Sequence, residues 1–321
     1  MKKILKLVAS GAPLLIIAGL LYAGIYIKPA LHSAQLQKQL FERSDRFYGV
    51  TSPDGKAVWL VGSDGKILRS NDGSATWERQ VSGVSTGLQD VGSWDDKRAV
   101  VVGNGPAILR TVDGGSTWKK VDVPSRQMAT KLMRVRVLPN GHAWAVGEGG
   151  LILHSADYAL TWTVVGEVED IAWNDIYFKD GHGWLVGEFG RIKVSSDNGM
   201  SWREVKSPIK SSLMSVVFRT PGNGVAVGLG GEILVSQDSG LTWAQAKSAT
   251  SEHLFGLTWN GSSWVAVGDK GVVVIGANDD STWKAVRIDP NDRAWYVSII
   301  NIPGRYFIAG ARFAAINQTA L

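Results

Sequence analysis

Short apolar runs separated by turn-forming residues follow one another along most of the chain. Residues 175–205 contain one such cycle, in which the runs DIYF, GWLVG, RIKVSS and SWREV are separated by Gly, Asn and Asp. Runs of this length, bounded by turn residues, are typical of β-strands. Each cycle therefore predicts four short antiparallel strands connected by tight turns.

The same cycle returns along the chain, with a tryptophan at a fixed place near its end. The spacings between these tryptophans are 41, 44, 40, 41 and 40 residues. A four-stranded unit repeated with a period in this range is typical of a β-propeller blade. Seven unit heads can be located, at Phe47, Leu88, Met133, Asn174, Met214, Phe255 and Tyr296. The pattern predicts an all-β, seven-bladed β-propeller over residues 47–321.

The seventh unit ends before its outermost strand would begin. Residues 33–43, SAQLQKQLFER, either supply that strand from the N-terminal side or form a helix, which the spacing of Leu36 and Leu40 favours slightly. The sequence leaves both alternatives open. Residues 29–46 are therefore expected to be a linker or a ring-closing segment.

The string before each tryptophan has the form Ser/Thr-x-Asp-x-Gly-x-Ser/Thr-Trp. Its aspartate is expected to accept backbone N–H bonds within a tight turn, and its tryptophan to pack between neighbouring blades. Ser74 and Ala159 replace the glycine in two copies, and the last copy has lost both Asp and Gly. The expected structural residues are Asp72, Trp77, Asp113, Trp118, Asp157, Trp162, Asp197, Trp202, Asp238, Trp243 and Trp283.

The first 28 residues differ from the rest of the chain. Lys2, Lys3 and Lys6 precede an uncharged stretch from Leu7 to Ile27, which is long enough to span a bilayer as a helix. We expect residues 1–28 to be an uncleaved transmembrane anchor; a cleaved signal peptide is the alternative. By the positive-inside rule the N-terminus would be cytoplasmic, with the propeller in the periplasm, held at the inner membrane.

Composition excludes several classes of function. The chain has no cysteine, so disulfides, thiolate metal sites and cysteine nucleophiles are excluded. Without residues 1–28, 30 basic residues stand against 29 acidic ones. Such a balance gives no support to nucleic-acid binding. No cofactor or metal site is predicted.

The repeated strings are BNR or Asp-box motifs, and they are complete at Thr111–Trp118, Ser195–Trp202 and Ser236–Trp243. With the VGxxGxI strings and the regular spacing, the chain resembles the photosystem II assembly and stability factor family and its relatives in non-photosynthetic bacteria. The resemblance implies a seven-bladed, non-catalytic scaffold that helps assemble or stabilise an integral membrane protein complex. Some non-photosynthetic relatives are associated with RND-type exporters, which the resemblance therefore suggests as a partner.

The innermost strands carry one polar constellation. At equivalent places in successive units stand Asp90, Arg134 and Asp175, whose side chains we expect to line the central channel. They form either a charge-balanced plug, which we favour, or a carboxylate pair for glycoside hydrolysis. The second interpretation matters because sialidases and other glycosidases also carry Asp-boxes. A glycan-acting hydrolase is therefore the alternative function, although the sialidase arginine-isoleucine-proline marker is absent.

The rims of the predicted propeller carry two sets of candidate partner-binding residues. Glu148 and Glu188 fall on the turns between second and third strands, where they form either a partner surface or a set of solvated turn residues. Arg69, Arg110 and His154 stand one residue before the box Ser/Thr of consecutive blades. They would form a basic stripe, as the arginine patch of photosynthetic relatives implies, or would be solvated strand positions.

Overall fold

The described part of the computed structural model comprises residues 40–105, 107–124, 130–167, 169–287 and 289–320. Within it, six antiparallel sheets have four strands and a seventh has three. Consecutive strands pair in sequence order within each sheet, as they do in a propeller blade. The prediction of a seven-bladed all-β propeller is confirmed.

The strands are numbered in chain order and grouped by blade. Blades one to four contain β1 (Phe47–Thr51), β2 (Val58–Gly62), β3 (Ile67–Ser70), β4 (Glu78–Gln80); β5 (Leu88–Ser93), β6 (Ala99–Gly103), β7 (Ala107–Thr111), β8 (Lys119–Val121); β9 (Leu132–Val137), β10 (Ala143–Gly147), β11 (Ile152–Ser155), β12 (Thr163–Val164); β13 (Trp173–Lys179), β14 (His182–Gly187), β15 (Ile192–Ser195) and β16 (Arg203–Val205).

Blades five to seven follow the same order. They contain β17 (Leu213–Phe218), β18 (Gly224–Gly228), β19 (Ile233–Ser236), β20 (Ala244–Gln245); β21 (Leu254–Trp259), β22 (Trp264–Gly268), β23 (Val272–Gly276), β24 (Trp283–Arg287); β25 (Tyr296–Ile302), β26 (Arg305–Gly310) and β27 (Phe313–Asn317). Short 3₁₀ turns lie at Ser63–Gly65, Pro139–Gly141, Glu188–Gly190, Leu229–Gly231, Asp269–Gly271 and Gln318–Ala320.

Alternating strand direction gives the propeller two faces. The box face carries the turns between first and second strands together with the Asp-box turns. The connection face carries the turns between second and third strands together with the links between blades. Residues on the two faces are therefore separated by the depth of the sheets.

Apolar clusters between neighbouring blades hold the wheel together. Each of the seven clusters in the described chain draws side chains from two adjacent sheets. The cluster that joins the last blade to the first contains Phe47 and Leu60 of blade one with Phe307 of blade seven. Sheets covered on both faces are apolar throughout, as the wholly buried strand β2 shows. The ring is therefore closed by packing between blades.

A repeated hydrogen-bond network forms each Asp-box turn. In blade four, the Ser195 hydroxyl donates to Asp197 Oδ1 at 2.7 Å, and Ser201 donates its backbone N–H and its hydroxyl to the two carboxylate oxygens at 2.9 and 2.6 Å. Blades one, two, three and five repeat this arrangement. The Ser201 hydroxyl bond lowers the pKa of Asp197 to about 2, so the carboxylate stays ionised.

The box tryptophans pack towards the preceding blade. Trp118 donates its indole N–H to Gln80 of blade one at 3.0 Å, and Trp243 lies in one cluster with Trp184 and Val194 of blade four. Blade six, whose box has decayed, keeps a local turn in which Asp279 accepts bonds from Ser281, and its Asp280 pairs with Arg219 of blade five at 3.1 Å. The box therefore joins a local turn to a contact between blades.

The chain before the first strand is described from residue 40 onward. Residues 40–46 form no strand, and the Phe41 ring packs edge-on against Phe47 and Trp77 at 5.7 and 5.9 Å. No helix in the described residues has the length and apolar character needed to cross a bilayer. The expected anchor, residues 1–28, and most of the segment 29–46 lie outside the described residues.

The close contact between the box glycine and the preceding blade can be tested by substitution. Gly240 has φ of +80°, and a Cβ there would lie 2.6 Å from the buried Trp184 ring. Gly230 has φ of +74° with nothing within 4 Å, so it is a matched control. We expect Gly230→Ala to lower the free energy of unfolding by about 1 kcal/mol through backbone strain alone. Gly240→Ala should lower it by about 1–3 kcal/mol more through overpacking.

Urea unfolding followed by tryptophan fluorescence measures both values. Equal losses for the two variants would show that the box glycine is not required by contact with the preceding blade.

Candidate functional site

The mouth of the channel on the connection face is formed by β-bulges. Each innermost strand has an irregularity that leaves its second residue without a partner in the next strand. Their side chains line a cavity of about 230 Å³, together with Lys131 and Arg134. The seven residues are Tyr48, Gln89, Met133, Asn174, Met214, Phe255 and Val297. Their place in the channel lining was not predicted, because a bulge breaks the simple alternation of strand residues.

The third residue of each innermost strand lies deeper in the channel. These residues pair with equivalent positions of the second strands, and they are Gly49, Asp90, Arg134, Asp175, Ser215, Gly256 and Ser298. Asp90 is only 2% exposed, and Asp175 is fully buried. Neighbouring strands and arginine side chains cover both carboxylates, so of the three expected channel residues Arg134 is the one that lines the cavity at the mouth.

Two arginines, not one, neutralise the two aspartates. Arg134 Nε lies 3.9 Å from Asp90 Oδ2 and 3.4 Å from Asp175 Oδ1. Arg136 places Nη1 3.6 Å from Asp90 Oδ2 and Nη2 2.8 Å from Asp175 Oδ1. Sequence reasoning missed Arg136. Arg136 lies two residues after Arg134, so both side chains are on the same side of the strand. This two-residue spacing could have identified Arg136 from the sequence.

The two carboxylates also join neighbouring blades. Asp90 Oδ2 accepts the backbone N–H of Val135 at 3.0 Å. Asp175 Oδ2 accepts the Ser215 hydroxyl at 2.8 Å and the Val216 N–H at 3.2 Å. Each aspartate therefore bonds to the innermost strand of the following blade, so the cluster braces blades two to five around the channel.

Burial and charge act in opposite directions on this cluster. Burial raises the pKa of Asp90, and the charges of Arg134 and Arg136 offset it only in part. Burial disfavours the charged form of Arg136, but the charges of Asp175 and Asp90 outweigh that effect and raise its pKa. The bonding of both carboxylates within the fold supports the plug interpretation over a hydrolytic pair.

The expected basic stripe is not an exposed surface. Arg69 is 3% exposed, its guanidinium lies 3.6 Å from the centre of the Trp59 ring, and its Nη2 donates to the Asp96 carbonyl at 3.0 Å. Burial lowers the pKa of Arg69. Arg110 donates from Nε to the Tyr158 carbonyl of the next blade at 3.1 Å. Third strands pack against the following blade, so these side chains connect blades.

His154, the third member of that set, belongs to a pair of histidines. Its ring stacks on Trp144 with centroids 4.3 Å apart, and its Nε2 lies 3.0 Å from His142 Nδ1. Burial, followed by the charge of His142, lowers the pKa of His154. The pair was not predicted, since the two residues are separated by twelve positions and meet only across neighbouring strands.

Glu148 and Glu188 lie on the connection face as expected from their turns. Glu188 accepts the backbone N–H of Ala172 at 2.8 Å, and Glu148 accepts the Thr130 hydroxyl. Both side chains thus fasten the link between two blades to a neighbouring turn. Their role in partner binding stays a prediction.

The box face carries a groove between blades three and four. Its volume is about 680 Å³, and Trp144 and Phe178 contribute its aromatic wall. Met200, which is 62% exposed, follows the box glycine and lines one side. Asp180 and Asp197 provide ionisable oxygens at the rim. The groove was not predicted, because residues distant in sequence form it.

The exposed apolar residue beside the groove has counterparts on the flanking blades. Leu160 and Leu241 occupy the same box position as Met200, and both are exposed. An apolar side chain at that turn position in three consecutive boxes is the sequence signal that could have revealed this row. Within the described chain, no group of three or more His, Asp or Glu side chains is arranged to hold a metal ion.

Removing one arginine from the channel cluster should destabilise the fold. In Arg136→Gln, Arg134 alone faces two buried carboxylates, so we expect the free energy of unfolding to fall by about 2 kcal/mol or more. Arg203→Gln, an exposed arginine of β16, is the control and should change stability by less than about 0.5 kcal/mol. Urea unfolding of both variants measures the difference. Similar losses would refute the bracing role of the cluster.

The histidine pair predicts a pH dependence of stability. The folded state lowers the pKa of His154, so the unfolded chain takes up its proton first as pH falls through about 6.5. Stability is therefore expected to fall with acidification and to level off below the folded-state pKa of His154.

Unfolding midpoints in urea, measured from about pH 7.5 to 5.5, should show this slope in the wild type and a shallower one in His154→Gln. His182→Gln, at the blade-four position equivalent to His142, is the matched control and should keep the wild-type slope. An unchanged slope in His154→Gln would show that another group causes the dependence.

Comparison with solved structures supports the architecture. The chain is similar to "YCF48 bound to D1 peptide", with TM-score 0.70, 20% identity, and coverage of 85% of this chain and 93% of that one. It is also similar to YCF48 from Cyanidioschyzon merolae, with TM-score 0.70, 16% identity, and coverage of 85% and 95%. The WD40 propeller domain of Doa1 aligns with TM-score 0.67, 12% identity, and coverage of 87% and 95%. At these identities the likeness establishes the fold alone.

Sequence comparison identifies the family. A search of curated proteins returns no match. The sequence model described as "Photosynthesis system II assembly factor YCF48" matches residues 81–169 and 194–301, which is more than half of the chain. These segments contain four of the five intact box networks and three of the four residues of the channel cluster, Asp90, Arg134 and Arg136. The chain therefore belongs to the photosynthesis system II assembly factor YCF48 family.

Proposed function

We propose that this protein is a non-catalytic scaffold that binds an extended segment of an integral membrane protein and so helps a membrane complex to assemble. Family membership supports the class of function. A solved relative is described as bound to a D1 peptide, which is a precedent for binding a polypeptide segment on this fold. The buried, paired state of Asp90 and Asp175 leaves the alternative of a glycan-acting hydrolase without a supporting observation.

The groove between blades three and four carries the proposal. Its lining includes the half-buried ring of Phe178. The exposed row Leu160, Met200 and Leu241 extends from it over three blades, which suits an extended polypeptide better than a small molecule. Asp180 and Asp197 at the rim favour a partner segment with a basic side chain next to its apolar ones. Lys179 also lines the groove, and its positive charge suits an acidic residue further along the partner segment.

We also propose that residues 1–28 anchor the chain in the inner membrane, with the N-terminus cytoplasmic and the propeller in the periplasm. The three lysines before the uncharged stretch from Leu7 to Ile27 support this orientation. An anchored propeller meets membrane proteins at high local concentration. An RND-type exporter is a specific candidate partner, suggested by the resemblance to non-photosynthetic relatives.

The proposal is tested by changing the groove without disturbing the core. Met200→Glu places a charge on an exposed side chain at the groove, and Val81→Glu makes the same change at a side chain that is 84% exposed and does not line it. The tagged full-length protein is cross-linked in membranes, purified in detergent, and its partners are quantified by mass spectrometry. We expect Met200→Glu to reduce one integral membrane partner at least about tenfold, while Val81→Glu retains it.

Two outcomes would refute the proposed function. One is equal recovery of every integral membrane partner by Met200→Glu and wild type. The other is turnover of chromogenic glycosides by the wild-type protein that is lost when Asp90 and Asp175 are both changed to Asn in a variant that still folds.

A further inference from the structure

The channel mouth on the connection face has the composition of a small binding pocket. The seven bulge residues surround it, one from each blade, in a cavity of about 230 Å³. Met133, Met214, Phe255 and Val297 make one part of its wall apolar. That volume accommodates a group the size of one amino-acid residue. The closed ring fixes the position of every lining strand, so the pocket is preformed.

Arg134 brings unused hydrogen-bond donors to this pocket. Its side chain is 11% exposed, and its Nε is buried without a hydrogen-bond partner. Its only polar contacts in the described chain are the two ion-pair distances of 3.4 and 3.9 Å from Nε. Its Nη1 and Nη2 are not among the buried unpartnered atoms, so their N–H donors are accessible, and Arg134 lines the cavity. The geometry therefore favours an acceptor in the cavity.

Four further polar side chains line the same space, those of Tyr48, Gln89, Lys131 and Asn174. Lys131 is half-buried at the rim; burial lowers its pKa, and the charge of Glu148 partly offsets that effect. Tyr48 lines the pocket with its ring stacked on Trp295, centroids 5.9 Å apart. The nearest acids are already engaged, since Glu148 accepts the Thr130 hydroxyl and Asp90 and Asp175 are paired with arginines below the pocket.

We infer that this pocket binds a carboxylate carried on a small apolar group. The carboxylate lies against the guanidinium of Arg134 and the ammonium of Lys131, and the apolar group contacts the side chains of Met133, Met214 and Phe255. A guanidinium and a carboxylate have matching planar geometry. The apolar side chains disfavour inorganic phosphate, which has no apolar group to contact them and would lose part of its hydration there. The carboxylate is that of a polypeptide C-terminus or of a free aliphatic acid.

The inference does not depend on the proposed function, because the groove and the pocket lie on opposite faces. Isothermal titration of the detergent-solubilised full-length protein uses four probes: N-acetyl-L-leucine, its neutral amide, hexanoate and inorganic phosphate. We expect saturable binding of at least one carboxylate and none of the amide. Binding of N-acetyl-L-leucine alone identifies a chain terminus, and binding of hexanoate at equal or higher affinity identifies a free acid. No carboxylate binding, or equal binding of acid and amide or of phosphate, overturns the inference.

Matched variants locate the binding in the pocket. Lys131→Gln removes the rim ammonium, and Arg134→Lys keeps the charge that balances the aspartates while removing the planar donor fork. Each should weaken carboxylate binding about tenfold or more. Lys270→Gln, an exposed lysine of the same face outside the pocket, should bind as the wild type does, and so should Met200→Glu. Wild-type affinity in both Lys131→Gln and Arg134→Lys would also overturn the inference.

Discussion

Apolar contact between neighbouring blades is the constraint on which the structure depends. Each sheet is only three or four short strands wide and is apolar on both faces, so a single blade could not bury its side chains alone. Each sheet buries both of its faces when it packs against two neighbouring sheets. Every sheet has two neighbours only if the last blade packs against the first. The contact of Phe47 and Leu60 with Phe307 completes the ring. The Asp-box network and the channel cluster are additions to this scheme, and both reach from one blade to the next.

The proposed binding surfaces are formed by side chains that do not pack between neighbouring sheets. Side chains between the sheets are committed to stability, and Arg69 shows that even a charged residue can be drawn into that role by stacking on a tryptophan. Two of the surfaces outside these interfaces are the groove between blades three and four on the box face and the ring of bulge residues around the channel. One surface suits an extended segment, and the other suits a single small group.

The sequence predicted the propeller, the seven blades and the alignment of the innermost strands, because turn residues and apolar runs report local structure directly. It could not show burial in the channel or across blades. Asp90 and Asp175 were therefore expected to line the channel, Arg69 was expected at the rim, and the position of the bulge residues at the channel mouth was not predicted. Arg136 could have been found from its two-residue spacing to Arg134. The groove combines β9–β10, β13–β14 and the box turn of blade four, which no local pattern relates.

The joint between blades seven and one has a consequence for how the protein is made. Its two sides are contributed by residues near opposite ends of the propeller sequence, so it is the contact of longest range in the wheel. During synthesis, the apolar flank of blade one stays uncovered until almost the entire chain has emerged. The nascent wheel therefore needs protection from aggregation for longer than its small individual blades would suggest, and truncation near β26 would leave that flank permanently bare.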